Sequence, residues 1–249
     1  MEKTKIETFI NKYSLGGAIE DVVWANDGND NLSVTAMTND RKLFASVQLE
    51  KAAFFKGVEV PIQETSKLKR MLGPLSENVA LSLDIDPNDA TRVREIIGED
   101  GKVTVEFAAS HKDAVDPVPK MKSVPQFTVE IVLSPEFIDT FTKSYSAIND
   151  KDTLFTLIMS KKKQKLELVL GYKQHLSDRI AMELTTNQGK DSVKAPISFS
   201  AKHLKEILSA NSEVENTVLS VSEAGLASIG FEKDGFKSQY YLVKIDVED

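Results

Sequence analysis

Four segments of the chain carry apolar residues at the spacing of an amphipathic helix. Ile6, Phe9, Ile10 and Tyr13 recur at i, i+3, i+4 and i+7 and so lie on one side of the first predicted helix. The other predicted stripes are Leu68, Met71, Leu72 and Leu75; Phe137, Ile138, Phe141, Tyr145 and Ile148; and Leu204, Ile207 and Leu208, with Phe199 as a staple. The pattern therefore predicts four short helices of one type.

A hydroxyl residue opens each helical segment, as an N-cap does. The predicted caps are Thr4, Ser66, Ser134 and Ser200, which are separated by 62, 68 and 66 residues. Glu7 follows Thr4 at the spacing of a capping box. A near-constant period of this size indicates a repeated structural unit.

Alternating apolar and polar residues follow the helices and predict antiparallel strands. After the fourth helix, turns at 223–225 and 233–235 separate three such stretches. The predicted strands are 78–84 and 102–107; 153–159, 165–170 and 179–184; and 217–222, 226–231 and 239–245. The repeated unit is thus a strand, a short helix and three meandering strands. The first copy is expected to be trimmed, because almost nothing precedes Thr4.

A proline-rich stretch separates the second and third units. Residues 111–126 hold Pro117, Pro119 and Pro125, which favour an extended path. A short helix backed by three or four strands cannot bury its own apolar side, so two units should pack their helices side by side. The predicted fold is α+β, with four β-α-β-β-β units in two similar domains, helices on one face and antiparallel sheets on the other. The predicted domains are 1–110 and 127–249, joined by the connecting loop 111–126.

Composition excludes several classes of chemistry. The chain has no cysteine, so disulfides, thiolate metal sites and cysteine catalysis are excluded. Its three histidines are scattered, and it has neither a phosphate-binding loop nor a dinucleotide fingerprint. No apolar run approaches the ~20 residues of a membrane helix, and the stretch MEKTKIETF lacks the apolar core of a signal peptide. We therefore expect no catalytic residue, metal, cofactor or membrane segment, and an intracellular protein.

Charge is distributed unevenly along the chain. The net charge is −7, yet residues 1–14, 65–72, 134–149 and 199–211 together carry +4, which leaves −11 for the rest. The helical face is therefore predicted to be mildly basic, whereas the strands, loops and tail are acidic. Such a face suits sequence-independent contact with phosphates through counterion release. The alternative is that these lysines only keep the open side of the helices solvated.

Two further features allow alternative interpretations. The basic run Lys161–Lys163 is most simply a solvated hairpin tip, and it could instead touch DNA. Trp24 falls on a strand pattern, and we expect it to pack in the core rather than to act as a stacking platform.

Three stretches resemble the DNA sliding clamp family, in the two-domain form of the proliferating cell nuclear antigens and some phage clamps. Residues 36–41 leading into 45–49 are similar to the family's strand, turn and strand after its first helix, and 66–72 resembles its second helix. The end of the chain, Tyr240-Tyr241-Leu242-Val243-Lys244-Ile245 followed by acidic residues, is similar to its C-terminus. The resemblance extends over the whole chain at the level of architecture. The proline expected after Tyr-Leu is missing, which leans toward a phage member.

This resemblance implies two sites. Basic residues of the helices would face DNA inside a ring: Lys3, Lys5, Lys12, Lys67, Lys69, Arg70, Lys143, Lys202 and Lys205. An apolar pocket between the connecting loop and the C-terminal strand would bind short peptides of partner proteins: Met37, Leu43, Val118, Met121, Tyr241, Val243 and Ile245.

The function that the resemblance implies is that of a DNA polymerase processivity factor, not an enzyme. Two domains per chain imply a homotrimeric ring that encircles duplex DNA, slides on it, and tethers polymerase and other replication proteins. A separate clamp-loader ATPase would open the ring. The expected location is the host cytoplasm for a phage protein or the nucleus for a eukaryotic one.

Two alternatives stay open. One is a monomeric viral polymerase accessory subunit that binds DNA through one basic face, and the other is an enzyme on a β-rich scaffold. The mild positive charge argues against the first, and the lack of a catalytic constellation argues against the second.

Overall fold

The computed structural model describes residues 2–26, 30–52, 57–119, 123–148, 150, 152–160, 164–172, 178–189 and 193–246. These residues form four α-helices: α1 (Lys3–Ser14), α2 (Thr65–Leu72), α3 (Pro135–Ile148) and α4 (Ala201–Ala210). They also form sixteen strands: β1 (Val22–Asn26), β2 (Leu32–Met37), β3 (Leu43–Leu49), β4 (Glu59–Ile62), β5 (Ala80–Ile85), β6 (Val93–Glu99), β7 (Thr104–Ala108), β8 (Val129–Leu133), β9 (Leu154–Ser160), β10 (Lys165–Leu170), β11 (Ile180–Glu183), β12 (Thr185–Gln188), β13 (Ile197–Ser200), β14 (Thr217–Val221), β15 (Leu226–Lys233) and β16 (Phe236–Val243). The predicted α+β class, with a single short helix before each set of strands, is confirmed.

The first of two compact units consists of Met1–Thr38, Ala45–Pro119 and Glu232–Ser238. Its strands are ordered β3-β2-β1-β4 in one sheet region and β5-β6-β7 in another. The strand β4 precedes α2 in the chain and returns to pair antiparallel with β1, with Val22 opposite Ile62. The helices α1 and α2 contact each other within this unit.

The second unit consists of Asn39–Phe44, Lys120–Phe231 and Gln239–Asp249. One sheet region has the order β12-β8-β14-β15-β16 and another the order β11-β10-β9-β13. The strand that precedes each helix again pairs antiparallel with a strand that follows a helix: β8 with β14, and β13 with β9. The helices α3 and α4 contact each other.

The core of the first unit forms around the stripe of α1. Ile6, Phe9, Ile10 and Tyr13 are each at most 1% exposed, as the periodicity predicts. Trp24 on β1 is also 1% exposed, and its indole Nε1 donates a hydrogen bond to the Tyr13 hydroxyl over 3.1 Å. The prediction that Trp24 packs in the core is confirmed.

The cap of α1 differs from the prediction. The helix begins at Lys3 after Glu2, and the Glu2 side chain makes no capping hydrogen bond. Instead Glu77, which follows α2, accepts hydrogen bonds from the Thr4 amide at 3.1 Å and from the Thr4 hydroxyl at 2.8 Å. These bonds hold the pKa of the Glu77 carboxyl below its usual value. The predicted capping box of Thr4 and Glu7 is therefore wrong, because a carboxylate from a distant segment satisfies the first turn.

The cap of α2 is likewise supplied from a distance. The helix begins at Thr65, one residue before the predicted cap Ser66. The Glu20 carboxylate, which follows α1, accepts hydrogen bonds from the Ser66 amide at 2.8 Å and from the Ser66 hydroxyl. The Glu20 carbonyl accepts from the Thr65 hydroxyl at 2.7 Å. Each helix of the first unit is thus capped by the glutamate that follows the other helix.

The two caps predicted for the second unit are confirmed. The Ser134 hydroxyl accepts from the Phe137 amide over 3.2 Å, and the Ser200 hydroxyl accepts from the His203 amide over 3.2 Å. Both are local N-caps of the expected kind.

The stripe of α3 is less covered than the stripes of α1 and α4. Of its five predicted members, Phe141 is fully buried, whereas Phe137, Ile138, Tyr145 and Ile148 are half-buried. An amphipathic helix normally turns its apolar side fully inward. The single chain therefore leaves part of this apolar side accessible.

The turn predicted at 233–235 is a two-residue hairpin loop between β15 and β16. Asp234 and Gly235 have φ values of 52° and 80°, as the type I′ geometry of such hairpins requires. The Gly235 carbonyl accepts a hydrogen bond from the Glu50 amide over 2.9 Å, which ties this hairpin into the first unit.

Candidate nucleic-acid interface and partner surface

The helix α2 presents three cations to solvent. Its apolar residues Leu68 and Leu72 are buried, so the intervening Lys67, Lys69 and Arg70 are exposed. Lys67 forms an ion pair with Glu64 at 3.4 Å. Among the residues that the structure describes, no carboxylate pairs with Lys69 or Arg70. Three exposed cations on eight residues make α2 the most basic of the four helices.

Lys3 on α1 contacts the segment that follows α2. Its ammonium donates hydrogen bonds to the carbonyl oxygens of Gly73 at 3.0 Å and Leu75 at 2.7 Å. Its side chain is 18% exposed and lies 3.9 Å from the Glu7 carboxylate. Both carbonyls lie just after α2, which ends at Leu72, so the ammonium fixes the segment that leaves this helix. Lys3, which was predicted to face DNA, thus makes hydrogen bonds within the first unit.

Lys12 is buried in the single chain, with 1% of its surface exposed. Its ammonium lies 5.5 Å from the centroid of the Phe236 ring, a cation–π distance. A side chain buried in this way cannot reach a phosphate, so the prediction that Lys12 faces DNA is wrong for this structure. Lys5 is exposed and pairs with Glu2 at 3.3 Å.

The helix α3 contributes one exposed cation and two carboxylates. Lys143 is exposed, and its ammonium lies 2.6 Å from the Asp139 carboxylate one turn earlier. Glu136 in the first turn is exposed as well. The positive charge of Lys143 is therefore largely neutralised, and the start of α3 is acidic.

The helix α4 contributes Lys202, which is exposed, and Lys205, whose side chain is 32% exposed. The Lys205 ammonium lies 5.9 Å from the centroid of the Tyr145 ring and 3.4 Å from the Glu206 carboxylate. Burial raises the pKa of the Tyr145 hydroxyl, and the charge of Glu206 raises it further. Tyr145 is thus a neutral platform for Lys205.

His203 adds no positive charge to this helix. It is 7% exposed, and burial lowers the pKa of its imidazole, which the charge of Asp40 only partly offsets. Its Nδ1 has no hydrogen-bond partner within the described part of the chain. His203 is therefore neutral near pH 7.

The exposed cations predicted to face DNA therefore reduce to a smaller set. It contains Lys5, Lys67, Lys69, Arg70, Lys143 and Lys202, with Lys205 at its margin. Their contact with DNA stays a prediction. The basic run Lys161–Lys163 lies outside the described residues.

Two residues predicted for the peptide pocket lie on the C-terminal strand β16 of the second unit. Tyr240 and Leu242 point inward with at most 1% exposed, so the alternate residues Tyr241 and Val243 share the outward side of β16. Val243 is 36% exposed, and the Tyr241 ring lies 6.0 Å from the ring of Phe44. Tyr241 and Val243 thus form a short accessible apolar surface, and their role in a peptide pocket stays a prediction.

Other predicted members of the pocket are placed differently. Leu43 is fully buried, so the prediction that it lines an open pocket is wrong. Met37 and Val118 belong to the first unit and are half-buried. Met121 lies outside the described residues. The roles of Met37, Val118 and Met121 stay predictions.

A cleft of about 380 Å³ adjoins Ile245 in the second unit. The Ile245 amide donates a hydrogen bond to the Ser198 carbonyl over 2.8 Å, and Pro196 and Lys244 line the same cleft. Gly225, at φ 85°, leaves no room for a side chain, because a Cβ there would lie 2.3 Å from the Lys244 Cδ. Nothing in the sequence around Pro196 and Ser198 indicates that they line this cleft. Gly225 is a sign that residues 244–245 pack closely against the turn at 223–225.

Within the described residues, no group of three histidine, aspartate or glutamate side chains could hold a metal ion. No described helix is long and apolar enough to cross a membrane.

No family model matches the sequence, and no curated protein matches it. Solved structures match over nearly the whole chain. The Proliferating Cellular Nuclear Antigen from Entamoeba histolytica has a TM-score of 0.69 at 19% identity, covering 99% of this chain and 97% of that one. The A. fulgidus PCNA bound to the C-terminal region of FEN-1 has a TM-score of 0.70 at 14% identity, covering 100% and 98%. The PCNA2-PCNA3 complex from Sulfolobus tokodaii gives 0.66 at 12% identity, covering 98% and 97%.

The contrast between Lys3 and Lys5 generates a prediction. Lys3→Met keeps the aliphatic stem but removes the donor to two carbonyl oxygens, so the free energy of unfolding should fall by about 1–3 kcal/mol. Lys5→Met, on the same helix but exposed, should change it by less than about 0.5 kcal/mol. Urea denaturation of both variants measures this difference. Equal effects would show that the Lys3 bonds do not stabilise the unit.

Proposed function

We propose that this chain, which has the DNA sliding clamp fold over its whole length, is a polymerase processivity factor that encircles duplex DNA. The observation that carries the proposal is the match to clamp structures over at least 97% of both chains. An unrelated protein that used part of the fold would leave long segments of either chain unmatched. The described helices and surfaces supply the chemistry that such a function needs.

DNA contact is proposed for the exposed cations of the helices. Lys67, Lys69 and Arg70 form a short row on α2 of the first unit that suits phosphate oxygens. In the second unit, Lys202 on α4 is exposed and suits the same contact. Only weak contacts are needed, because a closed ring stays on DNA by topology. Weak and sequence-independent contacts also permit sliding.

Ring closure is proposed to join the edge strand β7 of one copy to the edge strand β11 of the next. Both strands end their sheets in the described part of the chain. An unpaired edge presents a row of backbone donors and acceptors that a second strand satisfies. Three copies with two units each would close a ring of six units.

The half-buried stripe of α3 supports this junction. Phe137 and Thr140 share a cleft with Ala181 and Met182 of β11, so the accessible apolar side of α3 lies beside that edge. A second copy at this edge would cover it. Burial of apolar area is the main driving force of such association.

Charge at the two edges is complementary. The helix α2, which contacts β7, carries Lys69 and Arg70, which pair with no carboxylate among the described residues. The helix α3 beside β11 carries the exposed Glu136 in its first turn. A junction of β7 with β11 would place opposite charges near each other. Such complementarity favours the correct pairing over others. It also offers a reason for the acidic start of α3.

Tethering of partners is proposed for the surface of Tyr241, Val243 and Ile245. An apolar strip beside a cleft suits the anchor residues of a short peptide from a DNA polymerase or another replication protein. Holding a polymerase on the ring raises its effective concentration at the DNA. No phosphate loop occurs in the sequence, so a separate loader ATPase would open the ring. The proposed setting is the host cytoplasm for a phage protein, or the nucleus for a eukaryotic one.

The ring predicts a molar mass of three times the 27.6 kDa subunit. Phe137→Asp should shift the mass toward that of one subunit, because a charge would enter the proposed junction. Phe44→Asp, at a half-buried phenylalanine beside Tyr241 and away from the proposed junction, should leave the mass unchanged. Light scattering over a range of concentrations measures both. A monomeric wild-type protein at every concentration would favour the open DNA-binding subunit instead.

The DNA contact predicts a specific charge effect. The triple variant Lys67→Glu, Lys69→Glu and Arg70→Glu should weaken binding to a linear duplex and lower the salt dependence, by a slope of roughly 0.9 for each lost phosphate contact. The variant Lys102→Glu, Lys233→Glu and Lys237→Glu carries the same charge change on exposed strand and turn positions. Fluorescence anisotropy in a salt series compares them. Equal losses would mean that total charge matters and that α2 has no special role.

Substitutions in the proposed docking surface of Tyr241, Val243 and Ile245 should weaken polymerase binding. Val243→Ser with Ile245→Ser should weaken binding of the cognate DNA polymerase roughly tenfold or more, because two apolar anchors are removed. The control Ile158→Ser with Val218→Ser changes two half-buried strand residues of the same unit. Surface plasmon resonance on trimeric protein gives the affinities. Unchanged binding by the first variant would place the docking site elsewhere.

A further inference from the structure

The strand β5 lacks a neighbour that its counterparts have. The first strand after each other helix is paired on both sides: β1 by β2 and β4, β9 by β10 and β13, and β14 by β15 and β8. Within the described residues, β5 is paired by β6 alone. A single bridge between Glu2 and Asn78 lies just before β5 and does not reach it. One edge of β5 is therefore open.

The other three first strands show what fills this position. The strand β4 pairs antiparallel with β1, β13 pairs with β9, and β8 pairs with β14. All three are extended segments of four or five residues that carry buried apolar side chains. The open edge of β5 thus has the geometry to receive one antiparallel extended strand.

The sequence of β5 does not protect this edge. Residues Ala80–Leu83 contain neither charge nor proline, the two common devices that block pairing at an edge. Leu81 and Leu83 remain half-buried although they point to the core side of the sheet. Two other edge strands, β4 and β13, receive a backbone hydrogen bond: Ser110 donates to the Pro61 carbonyl of β4, and Ile245 donates to the Ser198 carbonyl of β13. A strand added to β5 would complete the burial of both leucines.

The outer side of the same sheet is acidic. Ala80 stands opposite Glu99 on β6, and Asp84 stands opposite Glu95. Asp84 is neutralised by Arg94, whose guanidinium lies 2.6 Å away. Glu95 and Glu99 have no ion-pair partner in the described part of the chain. Because Ala80 and Ser82 are small, a long cationic side chain on an added strand could extend over them to these two carboxylates.

We propose that the open edge of β5 binds an extended segment of a partner protein in which cationic residues alternate with apolar ones. The backbone pairs with β5, the apolar residues pack beside Leu81 and Leu83, and the lysines or arginines reach Glu95 and Glu99. This is strand addition, in which backbone bonds supply affinity and alternate side chains supply specificity. A second copy of this chain is disfavoured, because it would bring two acidic sheet faces together.

The probe is a blocked heptapeptide of alternating lysine and valine, tested against the wild-type protein by fluorescence anisotropy. Two derivatives carry N-methyl groups on the valines or on the lysines, so each blocks one edge of the extended peptide. One derivative should bind like the parent and the other should not bind. Hydrogen exchange of residues 80–85 should slow on binding. Equal binding by both derivatives, or protection elsewhere, would overturn the proposal.

Protein variants test the charge component. Glu95→Lys with Glu99→Lys should weaken peptide binding about tenfold, whereas Glu106→Lys on β7 should change it less than about twofold. An equal loss in both variants would mean that attraction is nonspecific. If the protein associates with itself in the absence of peptide, and the β5 variant Leu83→Lys abolishes that association, the occupant is a second copy of the chain. That result would overturn the proposal. None of these results depends on ring formation or DNA binding, so the clamp proposal stands or falls separately.

Discussion

The first unit depends on an exchange of helix caps between α1 and α2. Glu20, which follows α1, satisfies the first turn of α2, and Glu77, which follows α2, satisfies the first turn of α1. Lys3 adds a third link by donating to two carbonyls in the segment just after α2. Neither helix is completed by its own sequence. Each therefore requires the other in place, which makes the pair cooperative and fixes the direction in which α2 presents its cations.

The two units differ in how many of their helical lysines are used in contacts within the fold and how many are exposed. In the first unit, Lys3 and Lys12 are used within the fold, so the exposed positive charge is concentrated on α2. In the second unit, the local serines Ser134 and Ser200 cap the two helices. Lys202 of α4 is therefore not needed for capping and is exposed to solvent. The neutral His203 and the paired Lys143 keep the second unit less basic. The exposed positive charge is thus greater on the helices of the first unit than on those of the second.

Periodicity alone predicted the four helices, their apolar sides and most strands, because buried stripes repeat at fixed spacing whatever the tertiary context. The caps at Thr4 and Ser66 were predicted wrongly because the satisfying groups, Glu77 and Glu20, are distant in sequence. Lys12 was assigned to the open side because a lysine is normally solvated; its burial over Phe236 depends on a segment more than 200 residues later. The open edge of β5 could not be found from its own sequence, since ALSLDI reads as an ordinary strand.

The contacts of Lys12 with Phe236 and of Glu50 with Gly235 have a consequence for the order of biosynthesis. The first unit includes Glu232–Ser238, so it stays incomplete until nearly the whole chain has been translated. At roughly 5–20 residues per second, the interval between synthesis of Pro119 and of this hairpin is on the order of 5–20 s. During that interval Lys12 of α1 lacks the Phe236 ring that it contacts in the finished protein. The unit whose synthesis begins first is therefore completed only when residues 232–238 have been made.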